Sequence, residues 1–392
     1  MSPRTLTVIG AFSIQFTVIG MLFSLGLYVK VFEGEFGWSR TLVSASNSLA
    51  FFMMGALAIV AGRLSDRFGP RRVLLVSGAM FGVGLVALSR IGAPWQLFAL
   101  MGTLVAAGLA THDVVTLSTI ARWFVKRRGL MTAVAKVGTA SGQVLLPLLT
   151  AALIAGIGWR ETFVALGAGA GLVLVLAALL LRHPTEEEVE PAARARSGNG
   201  LSFAEARATR TLWTLCMIQF LFFSTLMTVP VHLAAHGMDL GLTTAQAATL
   251  LSVVGGASIA GRLIVGLLAD RIGSRNALSL CLLVLVIALA GYVLAARPGL
   301  LFVVTAIYGF THGALFVVVS PTVAQYFGMR AHGAIFGLIL FCGTLGSTIG
   351  PIATGAVFDT IGSYHPAFIT LGVMAAVALG LSRTLPRPEA RD

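Results

Sequence analysis

Long apolar runs set the first limit on how this chain can fold. Its 392 residues include about twelve runs of roughly 20 predominantly apolar residues. A helix of that length matches the hydrocarbon core of a bilayer, which is about 30 Å thick. Only 11% of the residues are charged, whereas soluble domains average about 25%. The sequence therefore predicts an all-α membrane protein with twelve transmembrane helices.

The predicted helices form two groups of six, separated by a polar stretch. We place them at 6–30, 41–62, 73–90, 94–118, 130–157 and 162–181, then at 211–236, 243–268, 277–296, 300–324, 333–357 and 367–382. The stretch between them begins with Glu186, Glu187, Glu188 and Glu190 and continues with Pro, Arg, Ser and Gly, which is typical of a solvated linker. We predict a six-helix bundle at 1–182, a cytoplasmic linker at 183–210 and a second six-helix bundle at 211–392.

An internal repeat relates the two bundles. Residues 62–72 read GRLSDRFGPRR and residues 266–276 read GLLADRIGSRN, which is an offset of 204 residues. The same offset pairs Gly129 with Gly333, Gly142 with Gly346 and Pro147 with Pro351. Matches this far apart at one spacing predict two parallel repeats, related by an axis along the membrane normal.

Basic residues are distributed unevenly among the predicted loops. If both termini are inside, 20 of the 27 Lys and Arg residues fall in cytoplasmic stretches and five in outer loops. Because short cytoplasmic loops are enriched in Lys and Arg, we predict that both termini are cytoplasmic. The net charge of +12 then reflects membrane topology, and we expect no nucleic-acid partner.

Four ionisable residues lie inside the apolar runs, where a charge is costly and usually marks a functional site. They are Asp113, Lys136, Arg262 and His312. Counted by helical rise from the cytoplasmic helix ends, they bracket the bilayer midplane. The offset of 204 relates Arg262 to Ala58 and Lys136 to Leu340. Each cation is therefore present in one half only, as expected of a substrate site.

The motifs resemble those of a known group of transporters. The two loops at 62–72 and 266–276, the six-plus-six arrangement and the long linker resemble the major facilitator superfamily over the whole chain. Glu35-Phe36-Gly37-Trp38-Ser39-Arg40 and Gly261-Arg262, followed by Gly266 and Asp270-Arg271, resemble bacterial monocarboxylate transporters and oxalate–formate exchangers. The resemblance implies a multi-pass protein of the bacterial cytoplasmic (inner) membrane that functions as a monomer.

The repeated loop is a candidate gate. Asp66 follows the predicted end of the second helix, among Arg63, Arg67, Arg71 and Arg72. A carboxylate near arginines forms charge-assisted hydrogen bonds that can hold two elements together. The superfamily resemblance implies that this loop, with its second copy at Asp270 and Arg271, closes the inward gate in the outward-open state. The alternative is a positively charged membrane anchor.

Arg262 is the leading candidate for substrate binding. Its guanidinium presents a planar fork of donors that matches a carboxylate, and the resembled family places its carboxylate-binding arginine here. Ser258 lies one turn earlier on the same helix face and is a candidate neighbour. The alternative for Arg262 is a structural ion pair, with Asp113 as its partner.

The other buried groups each have two interpretations. Lys136 either contacts substrate or pairs with Asp113, because a buried ammonium without a partner tends to lose its proton. Asp113 is a proton-coupling site or a static counter-ion. His312 is a substrate or proton ligand, since histidine titrates near neutral pH, or a structural residue.

Together these features predict a transporter rather than an enzyme. Two cations, Arg262 and Lys136, against one Asp113 favour an anionic substrate. We therefore predict proton-coupled transport of a small organic anion by rocker-switch alternating access. A monocarboxylate is the leading candidate for that anion. The alternative is a multidrug or metabolite efflux proton antiporter. No nucleotide-binding loop occurs in the sequence, and the cysteines lack metal-ligand spacing. We therefore expect no cofactor and no metal.

Overall fold

The computed structural model describes residues 2–185, 187–188, 200–295 and 297–386. Within these ranges the regular structure is helical, and twelve helices are long and apolar enough to cross a membrane. They are α1 Pro3–Ser24, α2 Arg40–Phe68, α3 Pro70–Leu88, α4 Pro94–Trp123, α5 Arg128–Ile157, α6 Trp159–Leu180, α7 Arg210–Asp239, α8 Thr244–Ile272, α9 Ser274–Leu294, α10 Pro298–Phe327, α11 His332–Ile361 and α12 His365–Thr384. The predicted fold class and the number of membrane-crossing helices are confirmed.

The 204-residue repeat is visible in the backbone. Glycines in the left-handed region form pairs at this spacing: Gly37 and Gly241, Gly69 and Gly273, Gly158 and Gly362, with φ between 66° and 89°. Such a φ is strained for residues with a Cβ, so these turns require glycine. The corresponding helices α5 and α11 are both 30 residues long and contain Pro147 and Pro351.

Side-chain caps fix where equivalent helices begin. The Ser39 hydroxyl accepts a hydrogen bond from the Leu42 backbone N–H at 3.2 Å at the start of α2. Thr243, at the equivalent position 204 residues later, accepts from the Gln246 N–H at 3.3 Å at the start of α8. Each cap satisfies a backbone donor that has no partner within its helix.

The helices α2 and α8 extend further than predicted. The apolar pattern placed their ends at residues 62 and 268, but the structure continues them to Phe68 and Ile272. Asp66 therefore lies in the last turn of α2 and not beyond it, which corrects the prediction. Polar residues continue a helix once it leaves the apolar layer, so hydropathy locates the layer and not the helix end.

The linker is described in part. Glu188 accepts two hydrogen bonds from Arg182, at 2.7 and 2.6 Å, and these lower the pKa of Glu188 to about 2. A short helix, Phe203–Arg207, begins with a capping box between Ser202 and Glu205. The predicted linker residues 186 and 189–199 lie outside the described residues.

Two compact units make up the structure. The first comprises Met1–Val125, Val134–Leu201 and Gly328–Phe341, and the second comprises Lys126–Ala133, Ser202–Phe327 and Cys342–Asp392. Each unit thus contains the beginning of one helix from the other half of the sequence. Asp113 and Lys136 belong to the first unit, whereas Arg262 and His312 belong to the second.

Candidate functional site

Asp113 and Lys136 form a buried ion pair in the first unit. Lys136 Nζ on α5 donates to Asp113 Oδ1 on α4 at 2.5 Å, and the two residues are 2% and 8% exposed. Burying a charge costs several kcal/mol, and only a close partner of opposite sign offsets that cost. The structure therefore shows the ion pair of Lys136 with Asp113, and a contact between Lys136 and the substrate stays a prediction.

Gln15 on α1 completes this site, and the sequence analysis missed it. Its Nε2 donates to Asp113 Oδ1 at 2.8 Å and to Thr116 Oγ1 at 3.1 Å, and its Oε1 accepts from Thr139 Oγ1 at 2.8 Å. One side chain thereby connects α1, α4 and α5 around the carboxylate. Its recurrence as Gln219, 204 residues later, is the signal that could have found it.

His112 packs against the same carboxylate. Its Nε2 lies 3.6 Å from Asp113 Oδ2, and its Nδ1 is hydrogen-bonded to the carbonyl of Leu109. Its own backbone carbonyl accepts from Gln15 Nε2 at 3.0 Å. The Asp113 carboxylate is thus surrounded by one cation, one amide and one imidazole in the first unit.

Arg262 lies in the interior of the second unit and is 1% exposed. Its Nη1 donates to Ser258 Oγ at 2.5 Å, one turn earlier on α8. Its guanidinium carbon lies 5.9 Å from the centre of the Phe316 ring on α10. A planar guanidinium against an aromatic ring is held in one orientation, which suits bidentate recognition of a carboxylate.

His312 lies next to the same aromatic ring. It is on α10, one turn before Phe316, with the ring centres 5.3 Å apart, and it is 8% exposed. Its Nδ1 is buried and has no hydrogen-bond partner among the described residues. Arg262 and His312, which the sequence singled out separately, therefore share Phe316 as a neighbour.

Two glycines bring α8 and α10 together at this point. A Cβ on Gly261 would lie 1.9 Å from the Phe310 carbonyl oxygen, and a Cβ on Gly313 would lie 1.9 Å from the Ser258 carbonyl oxygen. Neither distance is sterically allowed, so only glycine permits this approach. The close contact places the Arg262 and His312 segments side by side.

The two repeated aspartates bind the beginnings of helices. Asp66 Oδ1 and Oδ2 accept from the backbone N–H groups of Gly333 and Ala334 at 3.4 and 3.2 Å, at the start of α11. Asp270 accepts from the equivalent Gly129 and Leu130 N–H groups at 2.7 and 2.9 Å, at the start of α5. A carboxylate there satisfies unpaired donors and interacts favourably with the helix dipole.

The arginine that pairs with Asp66 was not predicted. Arg122 Nη2, at the end of α4, lies 2.9 Å from Asp66 Oδ1. Of the predicted loop arginines, Arg71 donates to the Leu179 carbonyl at 2.7 Å and Arg67 lies over the Phe68 ring. Arg271, the arginine assigned to the gate in the second loop, is exposed. Arg67 and Arg71 are close to Asp66 in sequence, but their side chains make these other contacts.

Glu35, from the motif that follows the first helix, contributes to an aromatic and ionic cluster in the first unit. Glu35 accepts from the indole N–H of Trp159 and from Arg160 Nη2 at 2.9 Å, and these hydrogen bonds lower the pKa of Glu35. The Arg160 guanidinium lies 4.2 Å from the Trp159 ring. The cluster connects the short helix Tyr28–Phe36 to the start of α6. Across the described ranges, no group of three or more His, Cys, Asp or Glu residues has metal-site geometry.

Comparisons with known proteins agree with this architecture. A sequence profile described as Major Facilitator Superfamily matches residues 8–299 and 239–392. The chain is 30% identical over 379 residues to the MFS transporter asaE of Aspergillus flavus, covering 94% of this chain and 83% of the relative. It is 27% identical to monocarboxylate transporter 13 of Rattus norvegicus, covering 97% and 88%. Its fold is similar to the Escherichia coli fucose:proton symporter FucP, with a TM-score of 0.77, 14% identity and 98% of each chain covered.

Proposed function

The chain belongs to the Major Facilitator Superfamily, and we propose that it transports a small organic anion together with protons. A monocarboxylate is the leading candidate for that anion. Members of this superfamily are transporters, so the chain is a multi-pass membrane transporter and not an enzyme. We propose rocker-switch alternating access, with the six-helix bundles 1–182 and 211–392 as the moving parts and one copy of the chain as the working unit.

The burial of the Arg262 guanidinium is the observation that supports the anion proposal most strongly. A guanidinium that is 1% exposed, oriented by Ser258 and Phe316, is a costly feature for a membrane protein to retain. Binding an anionic substrate gives that cost a function. The similarity to monocarboxylate transporter 13 of Rattus norvegicus, at 27% identity over an alignment that covers 97% of this chain, supports the same substrate class.

The pairing of Asp113 argues against the efflux alternative. A transporter of cationic drugs needs an acidic group that is available to the drug. Here Lys136 Nζ lies 2.5 Å from Asp113 Oδ1, and Gln15 and His112 surround the same carboxylate. A cationic substrate would have to break this ion pair before it reached the carboxylate, whereas an anion would not.

We also propose where the protein resides. The uneven distribution of Lys and Arg supports cytoplasmic termini. The assignment to the bacterial cytoplasmic membrane rests on the resemblance of the sequence motifs to bacterial monocarboxylate transporters. It does not rest on the two sequence relatives described above, which come from a fungus and a mammal.

Uptake by proteoliposomes tests the proposed function. We expect monocarboxylates to accumulate, and an inward proton gradient to accelerate their uptake. In the folded Asp113→Asn protein, uptake should lose this dependence on the gradient, because the titratable carboxyl is gone. Accumulation of cationic drugs without any carboxylate uptake would favour the efflux alternative. Unchanged gradient dependence in Asp113→Asn would remove Asp113 from the proton path.

The paired aspartate caps give a second prediction, that Asp66 and Asp270 hold the inward gate closed. A carboxylate at a helix N-terminus contributes about 0.3–1 kcal/mol, and up to about 2 kcal/mol when partly buried. We therefore expect Asp66→Asn and Asp270→Asn to slow transport several-fold while substrate affinity changes by less than about three-fold. Arg72→Gln, in the first turn of α3 and exposed, is the matched control and should transport normally. A large loss of affinity with an unchanged turnover rate would rule out a gating role.

A further inference from the structure

Gln219 on α7 is a buried side chain whose amide donor makes no hydrogen bond to the described residues. The residue is 1% exposed, and its Nε2 has no hydrogen-bond partner among the described residues. An amide that leaves water without gaining a partner is destabilising, so native structures keep few such groups. A group of this kind marks a place where a ligand can supply the missing acceptor.

The repeat shows what Gln219 lacks. It is the counterpart of Gln15, which uses both ends of its amide in the first unit. In the second half the amide is retained while two of its side-chain partners are replaced: Asp113 and Thr139 correspond to Val317 and Gly343. The third, Thr116, corresponds to Ser320, and Gln219 Nε2 has no hydrogen bond to it. The same side chain is thus a structural connector in one half and has lost these polar partners in the other.

Gly343 allows Gln219 to occupy this position. A Cβ at Gly343 would lie 2.9 Å from Gln219 Cγ and 3.1 Å from its Nε2. The threonine found at the equivalent position of the first half would therefore collide with Gln219 in its present orientation. Glycine leaves room for the amide and supplies no side-chain partner for it.

Aromatic side chains connect Gln219 with the Arg262 region. Phe223 lies one turn after Gln219 on α7, and its ring centre is 5.3 Å from that of Phe316. Phe316 in turn adjoins the Arg262 guanidinium and the His312 ring, at 5.9 and 5.3 Å. The second unit therefore presents a cation, an aromatic pair and an unpartnered amide donor in succession.

We propose that Gln219 is a substrate-binding residue that selects carboxylates bearing a second hydrogen-bond acceptor. The inference rests on the proposed anion transport, with the carboxylate at Arg262 and the apolar carbons against Phe316 and Phe223. Gln219 Nε2 then donates to a carbonyl oxygen further along the substrate. A site with a buried donor discriminates strongly against an analogue that lacks the acceptor, because the donor is left unpaired. The preferred substrates are oxo carboxylates, and plain alkanoates bind more weakly.

Matched ligand pairs test this assignment. Binding is measured by calorimetry on purified protein with pentanoate against 4-oxopentanoate, and with heptanoate against 6-oxoheptanoate. We expect wild-type protein to prefer the oxo acid in at least one pair by about ten-fold, the value of one well-made hydrogen bond. Gln219→Met keeps the volume and removes the amide. It should abolish this preference while its affinity for the plain acid stays within about three-fold.

Gln15→Met is the matched control for stability. Removing Gln15 takes hydrogen bonds from Asp113 and Thr139, so the apparent Tm of the ligand-free protein should fall. The Gln219→Met change removes only an unsatisfied donor. The apparent Tm of the ligand-free protein should therefore stay level or rise. A fall in Tm for Gln219→Met equal to that for Gln15→Met would show a structural role and overturn the proposal.

The binding outcomes separate the two levels of inference. If Gln219→Met retains the preference for the oxo acid, or if wild-type protein shows none, the assignment of Gln219 is wrong while carboxylate binding stands. If wild-type protein binds neither acid of either pair, the proposed carboxylate site is itself contradicted, and the assignment of Gln219 is overturned with it.

Discussion

Replacing Lys136 with methionine is expected to destabilise the protein more than any other single change considered for the first unit. The substitution leaves Asp113 as a buried carboxylate without its cation, which lies 2.5 Å away in the native protein. Removing one partner of a buried ion pair costs about 3–5 kcal/mol, because the remaining charge loses its compensation. The apparent Tm in detergent should fall accordingly.

Two companion variants make this prediction specific. The double variant Lys136→Met with Asp113→Asn removes both charges and should recover most of the lost stability. Leu340→Met changes the repeat-equivalent position, which carries no charge, and should cost less than about 1.5 kcal/mol as a nearly volume-conserving change. If Lys136→Met melts like the wild-type protein, the ion pair does not support the fold.

Much of the architecture follows from the sequence because membranes impose strong limits. Apolar runs of fixed length identify the twelve helices, and the 204-residue offset relates them in pairs that the glycines Gly69 and Gly273 mark in the backbone. The helix ends were less accurate. The end of α2 at Phe68 lies six residues beyond the predicted end at 62, because amphipathic turns extend past the apolar layer.

The candidate site was predicted less completely than the fold. Arg262, Lys136 and His312 are conspicuous because a charged or titratable residue interrupts an apolar run. Gln15 and Gln219 carry no charge and do not stand out in this way. Gln15 nevertheless donates a hydrogen bond to Asp113, and Gln219 Nε2 has no partner among the described residues. Hydropathy measures the cost of burial for each residue and contains no information on which partner lies opposite.

The same limit applies to the partners of Asp66 at the candidate gate. Arg67 and Arg71 were assigned to the candidate gate together with Asp66, whereas the Asp66 side chain meets Arg122, 56 residues further along the chain, and the start of α11. A partner on another helix depends on how the helices pack together. The repeat pointed indirectly to these contacts. The 204-residue offset pairs Gly129 with Gly333, and their backbone N–H groups donate to Asp270 and Asp66.

Replacing Arg262 is expected to have the largest effect on substrate binding. A hydrogen bond to a charged group is worth about 1.5–3 kcal/mol, so its loss should weaken carboxylate binding roughly 10- to 150-fold. Arg262→Lys should fail almost as severely as Arg262→Ala. Lysine keeps the charge but presents a compact, strongly hydrated head without the planar fork that matches a carboxylate.

The contacts of Arg262 explain why lysine is a poor substitute. The guanidinium donates to Ser258 and lies over the Phe316 ring in the same orientation. An ammonium on a flexible stem cannot satisfy both contacts and still present two parallel donors. Ser258→Ala is a useful comparison, because it removes the orienting hydroxyl and leaves the guanidinium. It should weaken binding less than either Arg262 variant.

The measurement that tests the central claim most directly is carboxylate affinity together with melting temperature, on the same samples of wild-type, Arg262→Lys and Arg262→Ala protein. If Arg262 binds the substrate carboxylate, both variants fold, and both lose affinity by at least about ten-fold, the lower end set by one charged hydrogen bond. If Arg262 only stabilises the fold, the variants melt early, and the protein that remains folded binds normally. Normal carboxylate binding by a folded Arg262→Ala protein would contradict the anion-transport account.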